Sequence, residues 1–171
     1  NGGLVNGIYN DSTGTITGTA NGTDYLTSPG GIGLQNNAGV ITEITNMGTI
    51  SGGAYGNGIL NSGFWGSGTI TTLTNFGTIT AGTGGYGIDN SNSGVIVTFN
   101  NAQGGTSPVT YTGALPGTYN IIVLSPTSYG KLAATTVTGA MNVGIFGATS
   151  TGYYSAATTP STLSGGTTYA S

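Results

Sequence analysis

Residues 41–51 read ITEITNMGTIS and residues 70–80 read ITTLTNFGTIT, and the two overlie without a gap. In each, an Ile (Ile41, Ile70) is followed five residues later by an Asn (Asn46, Asn75), and then by Gly-Thr-Ile at 48–50 and 77–79. Branched aliphatics set among Thr suit short strands that turn the aliphatic inward and the hydroxyl outward, and Asn and Gly suit the corners between strands. Outward from this core, GIYN (7–10), GLQN (33–36), GILN (58–61) and GIDN (87–90) repeat Gly, an aliphatic and Asn. They place Asn10, Asn36, Asn61 and Asn90 at spacings of 26, 25 and 29 residues. After each comes Gly, then Thr or Val, then Ile, ending at Ile16, Ile41, Ile70 and Ile96. A second Asn lies five residues beyond every one of these Ile residues, at Asn21, Asn46, Asn75 and Asn101.

A constant offset kept through four units predicts one supersecondary unit stacked on itself, a three-sided β-solenoid of about four turns with 25 to 29 residues per turn. Ile8, Leu34, Ile59 and Ile88 are expected to form one inner column. A second would hold Ile16, Ile41, Ile70 and Ile96, and a third Tyr25, Ile50 and Ile79. The Asn residues then form columns whose identical amides hydrogen-bond along the axis. Length varies at 22–32 and 62–67, which read as loops outside the core, the second carrying Phe64 and Trp65.

Composition sets the limits around that pattern. Gly supplies 35 of the 171 residues, and Gly and Thr disfavour helices. No apolar run approaches the roughly 20 residues of a transmembrane helix, so no membrane insertion is expected of this segment. A polar, Gly-rich chain can also be disordered, but disorder scatters apolar residues without register, and here they recur in register. One basic residue, Lys131, and a net charge of -3 argue against nucleic-acid binding. With no His and no Cys, histidine bases, zinc sites, Cys nucleophiles and disulfides are excluded, so stability must come from burial and paired backbone.

The unit is lost after residue 105. Residues 106–171 contain strand-like runs broken by Pro116-Gly117, Pro126 and Gly139, and read as a β-rich C-terminal cap on a solenoid of residues 1–105. No cap is expected at the front. The final residues, 167–171, read as a strand stopped partway, so the chain is expected to be a piece of a longer product.

The repeats ITEITNMGTISG and ITTLTNFGTITAG resemble the passenger regions of bacterial autotransporters, and LPGTYNIIVLSPTSYGKLAATTVTG (115–139) resembles the segment that closes such passengers ahead of the membrane barrel. The resemblance implies an all-β fold, a right-handed parallel β-helix, and secretion across the outer membrane of a Gram-negative bacterium to an extracellular or cell-surface location. The family's leader and barrel would lie outside this chain. Passengers include adhesins, aggregation factors and enzymes, so function must be read from the residues.

The residues offer little chemistry. Residues 84–89 fit the opening of a calcium-binding nonapeptide, making Asp89 the one metal candidate, but consecutive nonapeptides are missing and a Gly-rich corner accounts for the motif. The acids Asp11, Asp24, Glu43 and Asp89 share no column, so a facing carboxylate pair for glycoside hydrolysis is not expected. No catalytic residue or cofactor is assigned, and Lys131 reads as a solvated lysine. Thr15-x-Thr17, Thr69-x-Thr71 and Thr78-x-Thr80 have the spacing of flat ice-binding solenoids, in columns interrupted by Val40, Val95, Val97 and Ser51. The expectation is a non-enzymatic structural protein that self-associates into fibres or biofilm matrix, with itself as partner. The alternative is an adhesin contacting a host surface or glycans through Phe64, Trp65, Tyr55 and Tyr86, and a lesser one is ice binding.

Overall fold

The structure is a computed structural model that describes residues 3–18, 30–62 and 66–146, together with two later strands at 151–155 and 162–164. Every regular element among them is a strand. The first turn holds β1 (Leu4–Val5), β2 (Ile8–Asn10) and β3 (Thr15–Thr17), and the second β4 (Leu34–Asn37), β5 (Val40–Asn46) and β6 (Thr49–Ser51). The third holds β7 (Ile59–Ser62), β8 (Thr69–Asn75) and β9 (Thr78–Thr80), and the fourth β10 (Ile88–Asn90) and β11 (Val95–Asn101). Beyond them come β12 (Val109–Ala114), β13 (Thr118–Ile121), the small hairpin β14 (Val123–Ser125) and β15 (Ser128–Tyr129), then β16 (Lys131–Thr138) and β17 (Ala140–Ile145). Last are β18 (Thr151–Ser155) and β19 (Thr162–Ser164).

These strands stack in parallel as a β-solenoid of about four turns over the repeats. One face runs β4-β7-β10-β12-β16, a second runs from β1 and β2 through β5-β8-β11-β13-β17, and a third holds only β3-β6-β9. Stacking pairs the backbone between turns at the ordinary strand spacing, which is how a chain with so few large apolar residues satisfies its amides. Identical residues meet in register: Ile41 pairs with Ile70 and Ile70 with Ile96, while Ile50 pairs with Ile79. Ile44, Ile50, Ile59, Ile70 and Ile88 are completely buried, each contributing roughly 1.5–3 kcal/mol relative to an exposed side chain.

The long strands do not alternate strictly. In β5 both Thr42 and Glu43 face out between inward Ile41 and Ile44. The same gap separates Val5 from Ile8, where the strand divides into β1 and β2. The gap recurs in register between Ile70 and Leu73 in β8 and between Ile96 and Phe99 in β11.

The first turn is placed differently from the sequence expectation. Asn10 pairs with Asn46 and Ile8 with Ile44, so GIYN belongs to the second face and not beside Asn36 and Leu34. Ile16 pairs with Ile50 and thus occupies the third inner column, where Tyr25 was expected, not the column of Ile41. The physical reason is that Ile-x-Asn closes strands on both faces. The true match also carries two extra residues in a turn at 11–13, where Asp11 Oδ1 accepts the Thr13 amide and hydroxyl, both at 2.8 Å, and Gly14 N–H donates to Asp11 O. Asn21, Asp24, Tyr25, Phe64, Trp65 and the closing residues 167–171 lie outside the described residues.

Two faces continue past residue 105. Ile88 pairs in parallel with Tyr111, and Phe99 with Tyr119, and the ladders carry on to β16 and β17 before antiparallel β19 and β18 close them. What changes near residue 105 is the cross-section, because the third face stops at β9. Larger side chains fill the interior from that level on: Phe99, Tyr111 and Tyr119 are fully buried, and the rings of Phe99 and Tyr119 meet edge to face at 5.5 Å.

Burial pushes the Tyr111 hydroxyl well above its ordinary value of 10.0, with the bond to Asn90 opposing the shift and the Asp89 charge adding to it. Tyr111 therefore stays neutral in the folded chain while the unfolded chain ionises. Its contribution is intact below pH ~10 and is lost above it at about 1.4 kcal/mol per pH unit. Melting curves taken from about pH 8 to about pH 11 should fall along that slope in the alkaline limb, and a Tyr111→Phe chain should flatten it.

Candidate functional site

The polar interior consists of two asparagine ladders, one at each end of the second face. Asn10 Nδ2 donates to Asn46 Oδ1, Asn46 to Asn75 and Asn75 to Asn101, at 2.8, 2.8 and 3.0 Å. At the other corner Asn36 donates to Asn61 and Asn61 to Asn90, at 2.8 and 2.7 Å. Four of the amides also donate across the corner to a backbone carbonyl of the adjoining strand one turn on, Asn10 to Thr49, Asn46 to Thr78, Asn36 to Thr69 and Asn61 to Val95, while Asn75 donates to Gln103 Oε1. One amide thus ties two turns and two faces together, a role no other side chain of that length fills with two donors and an acceptor. All seven residues are buried.

The ladders end on groups the repeat does not contain. Asn90 Nδ2 donates to Ala114 O, and Asn101 Nδ2 to Tyr119 Oη, Gln103 O and Lys131 O. A shorter third ladder, unmarked by the repeat, runs from Asn120 to Asn100 to Thr74. Gln103 closes the third face: its Oε1 accepts the Ile79 N–H at 2.7 Å and its Nε2 donates to Ile79 O at 3.2 Å, imitating the peptide of a next strand. Replacing Gln103 by Ala is expected to strip protection from the Ile79 amide in hydrogen exchange while the Ile50 amide keeps its own. Unchanged protection at Ile79 would refute that role.

Glycine sets how closely the corners stack. A Cβ at Gly77 would fall 2.1 Å from Gly48 O, and one at Gly84, whose φ is +84°, would strike the Tyr55 ring. Gly77→Ala should cost about 1–3 kcal/mol or more in denaturant melts, because the obstacle is backbone.

The remaining expected positions separate. Asp89 is buried; its Oδ1 accepts the Ser91 N–H and its Oδ2 accepts from Asn57 Nδ2, at 3.0 and 3.2 Å. Among the described residues no group of three or more His, Cys, Asp or Glu could hold a metal ion. Glu43 is exposed and accepts from the Thr45 hydroxyl. Asp11 is exposed, and its bonds from Thr13 hold its carboxyl below the usual carboxylate range. Lys131 Nζ donates to Gly105 O and sits 5.3 Å from the Tyr129 ring centroid. Tyr55 and Tyr86 are half-buried on equivalent corners of adjacent turns: Tyr55 N–H donates to Thr83 O and Tyr86 N–H to Asn57 Oδ1.

The threonine rows also sort by face. Thr15, Thr49 and Thr78 form one outward column of the third face and Thr17, Ser51 and Thr80 another, whereas Thr69 stands on the second face between Val40 and Val95. The third face is thus a small regular hydroxyl array interrupted only in kind, by Ser51.

Fold and ladders define the chain as a parallel β-solenoid with asparagine-laddered corners. Compared with the known protein families, the curated proteins and the solved structures, it has no match in any of the three.

Proposed function

We propose that the chain is a non-enzymatic structural element of a Gram-negative cell surface, exported as part of an autotransporter passenger, that associates with copies of itself into fibres or biofilm matrix. The observation carrying this reading is a surface almost without charge, with four acids and one base in 171 residues, combined with exposed apolar side chains on the second face and its corner, among them Val40, Val95, Val97, Met47 and Phe76. So few charges provide little of the repulsion that keeps copies apart, and clustered apolar side chains gain by being covered. The buried ladders tie each turn to the next, as a rod built of stacked turns requires. Electron microscopy of the purified chain tests the reading: ordered filaments or sheets are expected. Dispersed short rods would count against it and turn attention to an adhesin whose side loops bind a host surface or glycan.

The threonine array favours a second reading, a surface that orders water or ice. Three rungs are few for that task, and Thr49→Tyr in the middle rung should abolish any inhibition of ice recrystallisation. Absence of inhibition in the unaltered chain would end this reading.

A further inference from the structure

One corner of the solenoid carries an apolar row on its outside from the second turn rearward; in the first turn the exposed Asp11 follows Asn10 there. The residue that follows the ladder position in successive turns is Met47, Phe76, Ala102, Ile122 and Phe146, each joined to the turn before it by a backbone bond from its own N–H to Asn10, Asn46, Asn75, Asn101 and Ile121. Ala102 and Ile122 are buried, and the rings of Phe76 and Phe146 meet edge-on across them, 6.3 Å between centroids. At the front Tyr9 extends the row, its hydroxyl 3.1 Å from Met47 Sδ. Tyr9, Met47, Phe76 and Phe146 are 67%, 42%, 41% and 47% exposed. A chain with four Phe and two Met has set half of each on one outer line. Single exposed apolar residues are ordinary, but a contiguous row marks a contact surface.

We propose that this ridge is the lateral contact between two copies of the chain, packed side by side with their axes antiparallel. The proposal rests on the self-association reading above and specifies where copies touch. Charge selects both the occupant and the direction. Asp11 and Glu43 are exposed on the front turns, while Lys131 opens β16 in the rear rounds. Antiparallel copies set each acidic front beside the other's cationic rear, whereas parallel copies set like on like. The same patch then serves both partners, as an isologous two-fold contact requires, and it closes at two copies, which makes the dimer the unit from which larger assemblies build.

Two measurements on the full chain test the contact. The first compares the assembly of the unaltered chain by sedimentation velocity with that of a Phe76→Ser, Phe146→Ser double variant. Both rings are exposed, so the variant should fold, which ladder-amide protection in hydrogen exchange verifies. The second exploits the absence of Cys: Thr78→Cys and Thr15→Cys are made separately, and each is treated with a short bis-maleimide. With full overlap of the ridges, Thr78 and its counterpart lie about 5 Å apart along the axis, and Thr15 and its counterpart about 24 Å apart, at ~4.8 Å per turn.

The expected result is that the double variant stays monomeric where the unaltered chain associates, and that Thr78→Cys links many times faster than Thr15→Cys. If the unaltered chain assembles and the double variant assembles equally, the ridge proposal fails and self-association stands. Equal linking rates would overturn the antiparallel arrangement. A chain that never assembles overturns both.

Discussion

Replacing Asn46 by Ala is expected to destabilise the chain by on the order of 3–6 kcal/mol, the larger part of what a domain of this size has to lose. Asn46 has no exposed surface; its Oδ1 accepts from Asn10, and its Nδ2 donates to Asn75 and to Thr78 O. The substitution leaves an amide donor, an amide acceptor and a corner carbonyl unmatched in a place water does not reach, and each such group costs about 1–3 kcal/mol. Chemical denaturation of Asn46→Ala beside Asn37→Ala, an exposed Asn in the same turn, measures it. The exposed control should shift by no more than about 0.5 kcal/mol. Equal small losses at the two sites would mean that the ladders are decoration.

Phe99→Ala is expected to cost about 3–5 kcal/mol. Phe99 has no exposed surface, pairs in register with Leu73 on one side and Tyr119 on the other, and lies where the third face has ended. No neighbouring strand can move in to fill the void, so the lost contacts are not recovered. Val97→Ala, two residues earlier and facing outward, should change stability by less than about 0.5 kcal/mol. A denaturation midpoint for Phe99→Ala near that of Val97→Ala would show that the rear of the solenoid collapses around the cavity.

The parts of this fold legible in the sequence are those in which one residue type serves one position in every turn. Asn36, Asn61 and Asn90, and likewise Asn46, Asn75 and Asn101, sit on their ladders as the constant offset implies. The first turn reads one face out by its motif because Gly-Ile-x-Asn satisfies either ladder, and the deciding signal lies farther on, in the Gly-Thr-Ile shared by 14–16, 48–50 and 77–79. Beyond residue 105 the stacking persists while the residue types change. Tyr111 succeeds Ile88, Gly113 succeeds Asn90 and Ile121 succeeds Asn101, so a motif search loses the strands that the backbone keeps.

The terminating groups carry no signal in the repeat. Gln103 and Tyr119 each act once, by completing a pattern whose repeat lies elsewhere, and a residue used once leaves no period. The apolar corner escaped for a related reason: Met47, Phe76 and Phe146 stand at one position in the stack but at unequal spacing in the chain, with small or buried residues between.

The central claim is that a nearly uncharged solenoid with an apolar corner associates with itself. Sedimentation velocity of the unaltered chain over a thousandfold range of concentration, repeated after prolonged incubation, tests it most directly. The account predicts boundaries that move to larger sedimentation coefficients as concentration rises, with dimers appearing first. A single boundary at the coefficient of one chain, unchanged across the whole range and with time, would contradict it.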